Sequence, residues 1–203
     1  MEAKFKDIRN AIDNGSYLSA LALALTLPDI CGKVMFQGKK GRSVYIDWFN
    51  EFVYPYYQSN NKYADKYEGT EFDGIACYCL RCAYLHSGNT DLGESNLHIK
   101  INQFDLCISS NKDSGVYVDM RGIITSNFSS EKIYRVRLDV RRLCKTLCDV
   151  AEKYYKDHVD KELFIEHKIR IINMEEEMYK RDPNYKPVTD EEIEIALKNF
   201  NKY

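Results

Sequence analysis

Residues 97 to 138 interrupt the periodicity of this chain, and the interruption limits the folds open to it. Before it, apolar residues recur about every 3.6 positions: Phe5, Ile8 and Ile12, then Tyr45, Trp48, Phe49, Phe52, Val53 and Tyr56. Within it they alternate. Leu97, Ile99 and Ile101 share one phase, and Phe104, Leu106 and Ile108 take the opposite one; Val116, Val118 and Met120 alternate again, as do Tyr134, Val136 and Leu138. This pattern predicts a small antiparallel β-meander, with a bulge or turn near Asn102-Gln103 and a turn over Asn111 to Gly115. After it, Val140, Leu143, Cys144, Leu147, Val150, Ala151 and Tyr154 return to helical spacing behind Asp139, which can cap a helix running to about Asp157. The expected class is mainly α: a helical bundle with a small antiparallel β insert, α+β by content.

The other expected helices follow from their breakers. The first spans about Glu2 to Asp13 and stops at Asn14-Gly15. Ser16 can cap the apolar run Tyr17 to Leu27, and Pro28 is read as its end. Eleven residues at 1.5 Å each fall short of a bilayer of about 30 Å, so this run is expected to be a core helix surrounded by its neighbours. Asp29 to Arg42 reads as a loop carrying Gly32, Gly38 and Gly41. A helix from near Ser43 should bend or end at Pro55. A polar stretch covers Gln58 to Thr70, and a further helix runs from about Glu71 to His86, with Gly88 or Asn89 available as a left-handed stop. Beyond Lys161 the pattern is sparser: a helix over Leu163 to Arg181, a break at Asp182-Pro183-Asn184, and a capping box at Thr189-Asp190-Glu191-Glu192 opening a last helix through Phe200. Two parts are expected, a bundle over 1–158 and a helical appendage over 159–203.

Composition narrows the function classes. With 44% hydrophobic and 30% charged residues, the chain is an ordinary globular one. A formal net charge of −2 supplies no global attraction to nucleic acid or to anionic lipid, so any RNA contact needs a local basic patch or two chains pooling charge. Seven cysteines in 203 residues, with no apolar signal segment at Met1-Glu2-Ala3-Lys4, are read as reduced thiols in a cytoplasm.

One segment carries candidate chemistry. Leu80-Arg81-Cys82-Ala83-Tyr84-Leu85-His86 sets an arginine, four residues and a histidine at a predicted helix end. It resembles the hallmark of the HEPN families. Leu21 to Gly32, with Trp48-Phe49 following, adds to the likeness, which covers roughly residues 1 to 158. The resemblance implies an up-and-down helical bundle and a homodimer with two such motifs lining one cleft. It further implies a metal-independent endoribonuclease of the bacterial toxin–antitoxin or phage-defence kind. RNA and a second copy are the expected partners, with an antitoxin or other protein as a further one; no cofactor, metal or membrane is expected. The family carries a polar residue after the arginine where this chain has Cys82.

The chemistry suits the residue types. Cleavage by a 2′-hydroxyl needs a group that exchanges protons near neutral pH, which His86 supplies, and a fixed cation against the phosphate, which Arg81 supplies. Five positions on an ideal helix hold the two about 140° apart, so both can face one point only where the helix unwinds. The plainer alternative pairs Arg81 with a carboxylate and leaves His86 at a helix C-terminus, in a non-catalytic module that binds protein or nucleotide. Lys39, Lys40 and Arg42 in a basic loop, and Arg141 and Arg142 where the meander enters the long helix, are secondary RNA-backbone candidates against a default of solvated surface. Cys79, Cys82 and His86 share a helical face, and Cys144 and Cys148 another, but buried thiols are favoured over a zinc site.

Overall fold

The computed structural model describes residues 1–57, 69–92, 99–108, 120–125, 132–167, 169 and 171–200, with the backbone alone for 120–125, 132 and 166. Two compact units result, Met1–His167 and Lys168–Tyr203. The first contains α1 (Glu2–Asp13), α2 (Tyr17–Ala24), α3 (Leu27–Met35), α4 (Arg42–Phe52), α5 (Gly74–Cys82), β1 (Gln103–Cys107), β2 (Met120–Thr125), β3 (Lys132–Asp139) and α6 (Val140–Asp157). The second contains α7 (Met174–Arg181) and α8 (Asp190–Phe200). The chain is mainly helical, as its periodicity requires.

Helix α6 is the element on which α1, α2 and α3 all pack. Val140, Leu143, Cys144, Leu147, Cys148 and Ala151 bury one continuous stripe. Asp139 caps it as expected, its carboxylate accepting from the backbone N–H of Arg141 and Arg142 at 2.9 and 3.0 Å. A cap of this kind contributes about 1 kcal/mol. Across the bundle α3 packs on α4 and α4 on α5, with Tyr45, Trp48 and Phe49 fully enclosed.

Pro28 does not end the apolar helix. It occupies the first turn of α3, so Asp29 to Met35 is helix where a loop was expected. Proline costs nothing at a helix start because its missing N–H would have no partner there. The junction is a bend at Leu25-Thr26, where the Thr26 hydroxyl donates to the Leu23 carbonyl at 2.7 Å. Tyr17–Met35 together is therefore 19 residues, long and apolar enough by length and composition to cross a membrane, yet 56% of that window is buried inside the bundle. One side is covered by protein, with Ala20, Leu21, Ala24, Leu25, Leu27 and Cys31 in the core, while Leu18 is exposed.

The sheet corrects the antiparallel meander. Strand order is β1-β3-β2: β2 pairs antiparallel with β3, but β1 pairs with β3 in parallel, Phe104 opposite Val136 and Leu106 opposite Leu138. Alternation tells which face a strand buries and not which strand lies beside it. β3 takes the centre because Val136 and Leu138 both bury there. Asn102 sets the start of β1: its side chain accepts from the Tyr134 N–H at 2.8 Å and its own N–H donates to the Tyr134 carbonyl. Ile99 and Ile101 precede that strand instead of forming one, although Ile101 is buried. Leu97, Val116 and Val118, the Asn111 to Gly115 turn and most of the polar stretch after Gln58 lie outside the described residues.

The segment after α6 differs from a helix over Leu163 to Arg181. A 3₁₀ turn at Glu162–His167 buries Phe164 against Tyr154, Tyr155 and His158, and helix resumes only at Met174. In the second unit the capping box is formed as read: Thr189 Oγ1 accepts from the Glu192 N–H and Glu192 accepts from the Thr189 N–H at 2.9 Å.

Two glycines set the spacing of α3, α4 and α5. A Cβ at Gly32 would lie 2.4 Å from the Val44 carbonyl oxygen, and one at Gly74 would lie 2.5 Å from that of Ile46. Gly32→Ala and Gly74→Ala should each destabilise the fold by about 1–3 kcal/mol through overpacking. Thermal unfolding by circular dichroism should show Tm lowered by roughly 2–4 °C per kcal/mol. A Tm equal to that of the unaltered chain would refute this account of the helix spacing.

Candidate functional site

Arg81 and His86 sit at a helix end of unusual form. Asp73 caps α5 at its start, accepting from the Ala76 N–H at 2.9 Å. Helix α5 runs to Cys82 and then widens into a single π-helical turn, Ala83–Ser87. Gly88, at φ 67°, closes it in the left-handed conformation and donates its N–H back to the Ala83 and Tyr84 carbonyls. The helix thus unwinds between the two residues of the motif. A π turn bonds i to i+5 and advances less per residue than an α turn, so it narrows the roughly 140° that an ideal helix would keep between positions 81 and 86. Tyr84 anchors the turn, its hydroxyl donating to the Leu18 carbonyl at 2.9 Å. His86 is exposed on it.

Arg81 is held from the side. Its Nη2 lies 2.8 Å from Asp29 Oδ2 on α3, the two side chains 21% and 28% exposed. The guanidinium also lies 5.8 Å from the centre of the Tyr78 ring, which meets Tyr45 edge-on. Burial is the largest single influence and opposes its charge, but Asp29, Cys82 and Tyr45 together outweigh it, and its pKa is held above the ordinary value. Its Nε is buried without an acceptor among the described residues. Beneath, the Tyr45 hydroxyl and the Cys77 thiol lie 3.2 Å apart in full burial. Tyr78 is raised by burial and then by Cys82 beside it.

Asp29 is a site residue that the sequence does not announce, because it falls where the pattern predicts a loop. One signal bears on it: an acid directly after a proline marks a helix start as well as a stop. Asp29 also lines a cavity of about 610 Å³ together with Lys33, Lys39, Lys40, Asp160, Glu162 and His167. Asp29 thus pairs with Arg81 and also lines the cavity to which the basic loop contributes Lys39 and Lys40. Lys39 rests its ammonium 4.7 Å over the Phe36 ring. Arg42 opens α4, exposed.

The other basic candidates line different depressions. Arg142 donates to the Tyr56 carbonyl at 3.0 Å and stacks 5.1 Å over Tyr57, joining α6 to the 3₁₀ turn that follows α4. Arg141 lines a cavity of about 340 Å³ with Arg9, Tyr17 and Asp149. Among the described residues no three His, Cys, Asp or Glu side chains are grouped to hold a metal ion. Cys144 and Cys77 are core residues, their thiols pushed up to about 12 by burial.

These thiols make a prediction. A thiol with folded pKa near 12, against an ordinary 9.0, holds its proton more tightly when folded. Its contribution to stability is complete below pH 9 and declines as pH rises towards 12. At pH 8, iodoacetamide should label the half-buried Cys82 and Cys107 before the buried Cys31, Cys77, Cys79, Cys144 and Cys148. Peptide mass spectrometry after timed labelling reads this order, and early labelling of Cys77 or Cys144 would contradict the packing.

Compared with known proteins, the chain matches no family model, no curated protein and no solved structure.

Proposed function

We propose that this chain is a HEPN-like endoribonuclease, acting without metal as a cytoplasmic homodimer in a toxin–antitoxin or phage-defence role. The observation that supports it most is the π turn between Arg81 and His86. Single π turns cost hydrogen-bond geometry and recur at functional sites. This one lies where an α-helix would hold the two side chains too far apart to act together, and it leaves His86 at the solvent.

In this reading one His86 imidazole removes the proton from a ribose 2′-hydroxyl. The oxygen attacks the adjacent phosphorus, the bond to the 5′-oxygen breaks, and a second proton donor protonates that leaving oxygen. The products are a 2′,3′-cyclic phosphate and a 5′-hydroxyl end. A single imidazole cannot be base and acid in one step, so the second copy's motif supplies the other, and two Arg81 guanidiniums face the phosphate. Asp29 orients Arg81, and Lys39 and Lys40 in the neighbouring cavity offer backbone contacts to RNA.

A second reading is favoured by one distance, the 2.8 Å ion pair between Arg81 and Asp29. There Arg81 braces α5 against α3, and the protein is a non-catalytic module that binds a protein or nucleotide partner. Cleavage of a fluorescent RNA in excess chelator separates the two. The enzyme reading expects cleavage with a cyclic-phosphate end, reduced about tenfold to hundredfold or more in His86→Ala with the fold unchanged. Arg81→Ala should lose cleavage as well. An unaltered chain that leaves RNA intact, while Arg81→Ala lowers Tm, would replace the first reading with the second.

A further inference from the structure

An ion pair fixes a guanidinium at a point and leaves its plane free to turn. Arg81 meets Asp29 through Nη2 at 2.8 Å, and its Nε is buried with no acceptor among the described residues. Asp29 therefore does not by itself set which way the planar donors face. Direction is what a phosphate oxygen requires of them.

The plane is met by Tyr78. This residue stands three positions before Arg81 on α5, the spacing that brings two side chains together on one helix face. The guanidinium carbon lies over its ring, 5.8 Å from the centre. The electron-rich face of an aromatic ring attracts a guanidinium and gives it a surface to lie against. The ring is itself held from behind. Tyr45 on α4 meets it edge-on, the centroids 5.5 Å apart and the planes at 69°. Tyr45 is fully buried, and its hydroxyl lies 3.2 Å from the equally buried Cys77 thiol. This hydroxyl and thiol take no part in the cleavage chemistry. They are the footing of a stack that runs from the core to the site through Tyr45, Tyr78 and Arg81.

We infer that Tyr78 is a positioning residue, which sets the plane of the Arg81 guanidinium for an incoming phosphate through its ring face and not through its hydroxyl. The part of Arg81 in cleavage rests on the ribonuclease reading; the hold of Tyr78 on the guanidinium does not.

Two readouts on the full chain keep these apart. The first is the Arg81 Nε–H signal in a proton–nitrogen NMR spectrum, assigned by its disappearance in Arg81→Lys. It should be shifted upfield by the ring and exchange slowly with water, and Tyr78→Phe should preserve both. In Tyr78→Leu the shift should be lost and exchange should quicken about tenfold or more, with circular dichroism unchanged. The second is RNA cleavage in excess chelator. Tyr78→Leu should lower kcat about tenfold, with KM held within about twofold, and Tyr78→Phe should recover most of the loss. An Arg81 signal that Tyr78→Leu leaves in place overturns the inference. So does a Tyr78→Leu chain whose signal moves while RNA is cut at the unaltered rate, and so does a loss in Tyr78→Phe as deep as in Tyr78→Leu. An unaltered chain that cuts no RNA refutes the ribonuclease reading, and the arginine signal then decides whether Tyr78 holds the guanidinium. Should Tyr78→Leu unfold, Tyr78→Met carries the same expectations.

Discussion

The close approach of α3, α4 and α5 is the contact on which the candidate site depends. At Gly32 and Gly74 the helices come near enough that a methyl group would strike a carbonyl oxygen of α4. Asn50 on α4 reinforces the second approach by accepting from the Gly74 N–H at 2.7 Å. This spacing brings Asp29, on α3, within hydrogen-bonding distance of Arg81, on α5, although α4 lies between them in sequence. A wider bundle would leave a half-buried guanidinium without its counter-charge, and removing one partner of such a pair costs far more than the pair itself contributes.

The same carboxylate shapes the electrostatics around it. Arg81 stays charged in spite of burial because Asp29, foremost among the groups around it, favours the charge together with Cys82 and Tyr45, and Tyr78 covers one side of its plane. Holding a cation in a single orientation costs side-chain freedom on folding and saves it when an anion arrives, which is the value of preorganisation for a phosphate-binding group. It is equally the arrangement of a structural brace. The two uses differ in what the π turn is for: a brace has no need of a helix that widens two residues further on, whereas a site that joins Arg81 to His86 does.

The two units differ in how they satisfy apolar surface. In Met1–His167 the stripe of α6, the Tyr17–Met35 run and the aromatic cluster around Trp48 bury one another. In Lys168–Tyr203 neither α7 nor α8 buries a residue, and Met174, Ile193, Ile195, Leu197 and Phe200 are exposed. A short amphipathic helix gains most of its stability from packing its apolar face.

Local signals were legible in the chain itself. The apolar period of Val140 to Tyr154 and the carboxylate of Asp139 determine α6 and its cap, and Thr189 with Glu192 determines the start of α8, because caps and faces depend on residues within one or two turns. Gly88 likewise stops its helix by a conformation that glycine adopts freely. Pro28 was ambiguous, since the same ring that breaks a helix interior suits a helix start, and only the packing of α3 on α4 and α6 decided between them. Strand order was not legible: Phe104, Leu106, Val136 and Leu138 announce buried faces, but which strand takes the centre depends on contacts made by residues some thirty positions apart. The motif Arg81 to His86 could be read, whereas Asp29 as its partner could not, because that pairing spans two helices and exists only once the glycines let them close. The sequence by itself therefore determined α1, α6 and α8, the caps at Asp139 and Thr189 and the residue types of the site, whereas Ser16 precedes α2 without a side-chain capping bond. The tertiary structure decided the sheet order, the widened turn and the counter-charge on Arg81, because each depends on long-range packing that no local pattern encodes.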